Sequence, residues 1–253
     1  MEHDGVDGGP QEAARHRWAR IALGLALVAI AALAFTVVQQ PMQTTAGGSF
    51  TVPAPHIDEP VKAGNSTETL VLAGGCFWGV QGVFQHVKGV TAAESGYAGG
   101  DARTANYDTV STGETGHAES VRIAYDPTQV TYGQLLQIFF SVALDPTQLN
   151  RQGPDHGTQY RSAIFAQDDT QRQVAESYIA QLNHDDVFLS PIVTTVSPKA
   201  TFFAAERYHQ DFLNSNPTYP YIVRNDMPKV NDLERLFPQR YRDQPVLMLA
   251  DGR

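Results

Sequence analysis

Cys76 follows the pair Gly74-Gly75 and is followed directly by Phe77 and Trp78. Before it, Leu70-Val71-Leu72-Ala73 is a short apolar run of the kind expected for a buried strand. After it, Val80, Val83, Phe84 and Val87 fall at i, i+3, i+4 and i+7, a helical stripe closed by Gly89. The cysteine therefore stands where a strand hands over to a helix. A thiol there faces unpaired backbone N–H groups and the positive end of the helix dipole. Both favour the thiolate, the nucleophilic form. The glycines allow backbone to approach a ligand without a Cβ in the way. The plainer alternative is a small buried hydrophobe with two core aromatics beside it.

Glu119 opens the stretch Glu119-Ser120-Val121-Arg122-Ile123-Ala124-Tyr125, whose alternation predicts a strand. Period two puts Glu119 on the apolar face with Val121, Ile123 and Tyr125. Burial there raises a carboxyl pKa, so the group can hold a proton near neutrality and serve as a general acid. A strand-end glutamate curling out to solvent is the competing reading. Asp155 through Ser162 is a third polar cluster, and a buried Tyr160 would need a hydrogen-bond partner within it. His117 shares a strand face with Glu119, so a cysteine hydrolase built on Cys76 and His117 is the rival enzyme class. A tethered binding domain with an inert cysteine is the non-enzymatic rival. His56, His86, His117, His156, His184 and His209 show no short ligand spacing, so no metal site is expected.

The elements that must position these residues alternate along the chain. Strands are predicted at 70–73, 90–95, 119–125, 160–166 and 192–196. Helices are predicted after Cys76, after a Thr131 cap, after an Asp168 or Asp169 cap, and from about Thr201 to Leu213. The order strand-helix-strand-strand-helix-strand is the ferredoxin-like split βαβ pattern. The expected class is α+β, an antiparallel or mixed sheet with helices packed on it and extra C-terminal elements.

The 253 residues include 18 basic and 27 acidic side chains, a formal charge of −9, with no basic block that would suit nucleic acid. One cysteine excludes an internal disulfide framework and any zinc site that needs several thiolates. Ile21 to Val38 carries no charge, and as a helix it would span about 27 Å, close to a hydrocarbon core of about 30 Å. Arg15, Arg17 and Arg20 precede it, and the next basic residue is Lys62. The expectation is a short cytoplasmic segment (1–20) and an uncleaved transmembrane anchor (21–38). A linker (39–69) follows, then a catalytic domain (70–216) outside the cytoplasm, in the periplasm. A cleaved signal peptide, giving a secreted protein, is the alternative. Residues 217–253 form a C-terminal extension without cysteine.

Gly75-Cys76-Phe77-Trp78-Gly79 resembles the GCFWG signature of the A-type peptide methionine sulfoxide reductases. Gly96-Tyr97-Ala98-Gly99-Gly100 is similar to that family's glycine loop, and Tyr107-Asp108-Thr109-Val110 with Thr115 to Glu119 resembles its acid-bearing segment. Asp155 to Ser162 and Ala205 to Gln210 extend the likeness. The resemblance implies reduction of methionine S-sulfoxide, free or in oxidised proteins under repair. It implies Cys76 as nucleophile and Glu119 as proton donor. Tyr107 and Tyr160 would hydrogen-bond the sulfoxide oxygen, Asp155 would order the polar side, and Phe77 and Trp78 would hold the methyl group. No bound cofactor is implied. Many family members resolve the sulfenic acid with further cysteines. This chain has Ser111 where some carry one, so it needs an external thiol: thioredoxin, glutaredoxin with glutathione, or dithiothreitol.

Overall fold

The computed structural model describes residues 49–60 and 67–249. The expected membrane segment lies outside them; among the described residues no helix is long and apolar enough to cross a membrane.

The first strand, β1 (Glu68–Gly74), leads into helix α1 (Phe77–Gln85), which returns to β2 (Val90–Ala98). A short helix, α2 (Tyr107–Val110), precedes β3 (Ala118–Tyr125), and α3 (Tyr132–Ile138) follows it. The Thr131 side chain accepts from the Gln134 N–H while the Gln134 side chain accepts from the Thr131 N–H, a capping box. A small hairpin of β4 (Arg151–Gln152) and β5 (Asp155–His156) precedes β6 (Ser162–Phe165). Helix α4 (Asp169–His184) is capped by Asp168. Two short strands follow, β7 (Thr195–Ser197) and β8 (Phe202–Ala204).

The main sheet has six strands in the order β7-β6-β1-β3-β2-β8, and every pairing is antiparallel except β6 with β7. Its four central strands, β6-β1-β3-β2, keep the split βαβ order expected for an α+β protein. One face carries the main core, in which Leu70, Leu72, Val121 and Ile123 meet Val80, Val83 and Phe84 of α1. Small residues dominate the other face: Ala73, Ala98, Ala118 and Ala163, with Phe165.

The expected helix from Thr201 to Leu213 does not form. Phe202–Ala204 instead pairs with Gly96–Ala98 at the sheet edge, and Arg207–His209 is a single 3₁₀ turn. Asp211 then takes a left-handed conformation (φ 56°) before the short helix α5 (Phe212–Ser215). The sheet edge offers this segment backbone partners that an isolated helix would forgo, so tertiary pairing overrides the apolar period.

The C-terminal segment is packed, not appended. A π turn (Ile222–Asp226) runs into α6 (Met227–Leu236), whose Val230 and Leu233 join the main core with Phe237. Nearly every residue of α1 is buried as a result. Gln81 links the two parts. Its Nε2 donates to the Ala93 carbonyl and to Gln210 Oε1, both at 2.9 Å, and its Oε1 accepts from the Asp211 N–H at 2.9 Å. Replacing it with leucine orphans the buried Asp211 N–H and leaves the Gln210 oxygen with only its bond from the Ser95 N–H. Gln81→Leu should therefore lower the unfolding free energy by roughly 2–4 kcal/mol in urea titration, and a loss under about 0.5 kcal/mol would show that the network adds nothing.

Candidate active site

The backbone turns sharply before Cys76. Gly75 has φ +91°, and a Cβ there would lie 2.5 Å from Gln152 Cβ, so glycine alone lets β4 press against this corner. Cys76 occupies the N-cap position of α1 and makes no side-chain capping bond. The thiol is buried, with 9% exposure. The helix end was expected to favour the thiolate, and the structure corrects that expectation. Burial pushes the Cys76 thiol well above its ordinary range, and the nearby Glu119 and Asp226 carboxyls push it further. The Trp78 N–H and Lys229 act in the opposite sense but do not offset this.

The free N–H of the helix start goes to Glu119. Its Oε2 accepts from the Phe77 N–H at 3.0 Å, and the side chain is 3% exposed. Burial raises the carboxyl to about 8, opposed by the Phe77 bond and aided by the charges of Asp155 and Asp226. Glu119 lies on the apolar face of β3, as the alternation predicts, with Val121, Ile123 and Tyr125 all buried.

Tyr107 opens α2, which Asn106 caps. Its N–H donates to Glu206 Oε1 at 2.9 Å, while the Tyr97 hydroxyl donates to Glu206 Oε2 at 2.8 Å. One carboxylate thus clamps α2 to β2. Tyr160 ends the 3₁₀ turn Thr158–Tyr160, and Asp155 in β5 accepts from the Tyr221 hydroxyl. Burial raises the Tyr107 and Tyr160 hydroxyls, and the charges of Glu119, Asp155 and Cys76 raise both further. Cys76, Glu119, Tyr107, Tyr160 and Asp155 therefore converge on one site, within reach of each other's fields.

Phe77 and Trp78 line the apolar side. The Phe77 ring is fully inside, 5.0 Å from His209 and 5.9 Å from Tyr97. Trp78 is partly open, stacked on Phe212 at 3.9 Å, with the edge of Tyr221 at 6.0 Å. Its Nε1–H donates to His209 Nδ1 at 3.2 Å, and burial lowers the His209 pKa, so this ring stays neutral as an acceptor. His209, Glu206, Tyr221 and Asp226 join this site although the residue pattern assigns them no role. The first two lie in a recognisable motif, where a charged residue flanking a histidine is the only signal. Tyr221 and Asp226 carry none.

The peptide methionine sulfoxide reductase family model matches residues 68–241. A peptide methionine sulfoxide reductase of Mesorhizobium japonicum is 65% identical over 189 residues, covering 75% of this chain and 97% of that protein. One from Synechocystis is 51% identical over 198 residues, covering 78% and 91%. The methionine sulfoxide reductase A of Corynebacterium diphtheriae superposes with a TM-score of 0.53 at 33% identity, covering 72% of this chain and 92% of that one. Reduced Mxr1 from Saccharomyces cerevisiae gives 0.54 at 32% identity, covering 60% and 87%.

The chain belongs to the A-type peptide methionine sulfoxide reductases. It is an oxidoreductase that reduces methionine S-sulfoxide. The hydrolase alternative loses its base: His117 Nδ1 accepts from the Gly100 N–H at 3.2 Å, and Nε2 lies 3.0 Å from the Asp101 carbonyl. Both ring nitrogens are spent on backbone, and the side chain locks the glycine loop to β3 instead of serving Cys76.

The reductase's buried acid has a consequence for stability. Folding raises the Glu119 pKa from 4.5 to about 8, so the folded state binds this proton more tightly and loses stability as pH rises through that window. Glu119→Gln should match the parent in unfolding free energy below pH 4.5 and exceed it above pH 8. The expected difference is on the order of a few kcal/mol in paired denaturant titrations. A parent that gains stability relative to the variant across this range would contradict the assignment.

Proposed function

We propose that Cys76 and Glu119 act together on methionine S-sulfoxide, one as nucleophile and the other as proton donor and acceptor. The observation that carries this is the buried Glu119 carboxyl bonded to the Phe77 N–H, one residue from the sulfur. A sulfoxide presents an electrophilic sulfur and an oxygen that gains charge as the bond breaks. Glu119 protonates that oxygen, Cys76 sulfur attacks the sulfoxide sulfur, and the thiol proton leaves to the carboxylate just formed. Oxygen then passes to Cys76, giving a sulfenic acid and free thioether, so atoms and protons balance. The Tyr107 and Tyr160 hydroxyls hydrogen-bond the oxygen in the transition state, and Asp155 orders the polar side. Phe77 and Trp78 seat the methyl group.

Burial of the thiol fits this order of events. Cys76 becomes a good nucleophile only once the substrate has drawn the Glu119 proton away. The chain has one cysteine, so no internal disulfide can follow. An external thiol condenses with the sulfenic acid, releasing water, and a second thiol breaks the mixed disulfide. Thioredoxin, glutaredoxin with glutathione, or dithiothreitol would serve.

The uncharged run from Ile21 to Val38 behind three arginines supports a membrane anchor, with the reductase working in the periplasm on oxidised proteins. The full-length chain should stay with membranes after carbonate washing, and protease added to spheroplasts should reach the domain. Recovery in the soluble cytosol would defeat the anchor.

Rapid-quench counting tests the chemistry. In thiol-free buffer the parent should release one methionine per active site and stop, gaining one oxygen in mass, and dithiothreitol should restart it. Cys76→Ser should release none, and Glu119→Gln should slow the first turnover by about 10²–10⁴-fold. Several equivalents formed without thiol would contradict a one-cysteine cycle.

A further inference from the structure

A second buried carboxyl stands behind the catalytic helix, and the proposed reaction does not use it. Asp226, the last residue of the π turn before α6, is fully buried. Its Oδ1 is 3.3 Å from Lys229 Nζ, and among the described residues its Oδ2 has no hydrogen-bond partner. The pair is wedged against Gly79. A Cβ there would collide with Asp226 Oδ1, lie 2.8 Å from its Cγ and 3.0 Å from Lys229 Nζ. Gly79 is three residues past Cys76, on the same face of α1, where neighbouring Cβ positions are about 5–6 Å apart. The missing side chain thus admits a carboxylate and an ammonium to the flank of the catalytic turn.

We propose that Asp226, paired with Lys229 and seated against Gly79, is a positioning residue that keeps Glu119 and Cys76 protonated between turnovers. The inference rests on the roles given above to those two groups. A negative charge held in a dry interior opposes any second or third negative charge within its field. The groups around it come from several elements: Lys229 on α6, Tyr221 just before the π turn, Asp155 on β5, Glu119 on β3 and Cys76 at the start of α1. The Tyr107 and Tyr160 hydroxyls close the site. Asp226 acts in the same direction on Glu119, Cys76 and Tyr221, raising all three, and Lys229 tempers it at Cys76. Burial raises the Asp226 carboxyl itself, and the Lys229 ammonium works against that rise.

Both groups must start protonated for the proton balance of the reaction. Glu119 has to give one proton, and the thiol has to return one. A resting thiol also resists peroxide, which reacts with thiolate and can carry a lone cysteine irreversibly to the sulfinic acid. The charge therefore loads the acid and shields the nucleophile at once.

Cys76 is the chain's one cysteine, so its alkylation reads the thiol directly. Iodoacetamide alkylation and kcat/KM for an S-sulfoxide peptide with dithiothreitol should be measured against pH for the full-length parent, Asp226→Asn and Asp226→Asn/Lys229→Met. The parent's alkylation midpoint should lie above that of an ordinary thiol. In Asp226→Asn it should fall by about one pH unit, and the basic limb of kcat/KM should fall with it. Peroxide should inactivate that variant about tenfold faster at neutral pH. Removing the Lys229 charge as well should move the alkylation midpoint back up, an opposite sign that a loss of packing would not produce. Unchanged or raised midpoints in Asp226→Asn would overturn the proposal. Should that variant fail to fold, a parent midpoint at or below an ordinary thiol's would overturn it equally. A parent that alkylates as expected but reduces no sulfoxide would sink the proposed reaction and leave the role of Asp226 to the midpoints.

Discussion

The Glu119 carboxyl lies at the buried start of α1 and takes the Phe77 N–H, which a helix end would otherwise leave unpaired. That bond fixes the height of the helix start above the sheet. It also places a carboxyl that burial holds protonated up to about pH 8 beside the only sulfhydryl in the chain. A helix N-terminus ordinarily lowers a thiol's pKa, and the Trp78 N–H does so here, yet burial and the Glu119 and Asp226 carboxyls outweigh it. In the proposed mechanism, reactivity is thereby conditional on a substrate that accepts a proton. The surrounding structure can be read as what this arrangement needs in order to persist.

Most of what it needs is cover. Strand β3 delivers Glu119 from below, and the late chain seals α1 from above, so that Gly79 and Gly82 both lie under side chains. Leu213 Cδ1 would be 2.6 Å from a Cβ at Gly82, as close as α5 could come. Buried glutamines do the joining: Gln81, Gln85 and Gln210 exchange bonds with Asp211, Asn214 and the edge of β2. Asp211 in turn accepts from the Met248 and Leu249 N–H groups at 3.0 and 2.7 Å. A buried polar network of this kind tolerates little loss, because each missing partner leaves a desolvated group behind.

Much of this was legible in the residue pattern. The strand before Cys76, the stripe of α1, the alternation of β3 and the caps at Thr131 and Asp168 depend on local chemistry, and local chemistry is what a pattern carries. Cys76 and Glu119 were legible for the same reason, one at a strand-helix junction and the other a carboxyl on an apolar strand face, whereas Tyr107, Tyr160 and Asp155 drew their roles only from the family resemblance. Three features depend on distant partners and were not legible. Phe202–Ala204 forms a strand because β2 has a free edge for it. The thiol is raised, not lowered, because the folded chain buries it and because Glu119 and Asp226 stand near it in space. Val230, Leu233 and Phe237 do fall at helical spacing, but nothing local says that their helix packs against α1 and brings Asp226 to Gly79.

The protonation state of Glu119 in the resting enzyme is the point on which the mechanism turns. Infrared difference spectra recorded through a pH titration, with Glu119→Gln as reference, read it directly. A protonated carboxyl band that is present at neutral pH, disappears with a midpoint near pH 8 and is missing from the variant is the predicted result. A carboxylate already ionised at neutral pH, titrating in the ordinary acid range, would contradict the account.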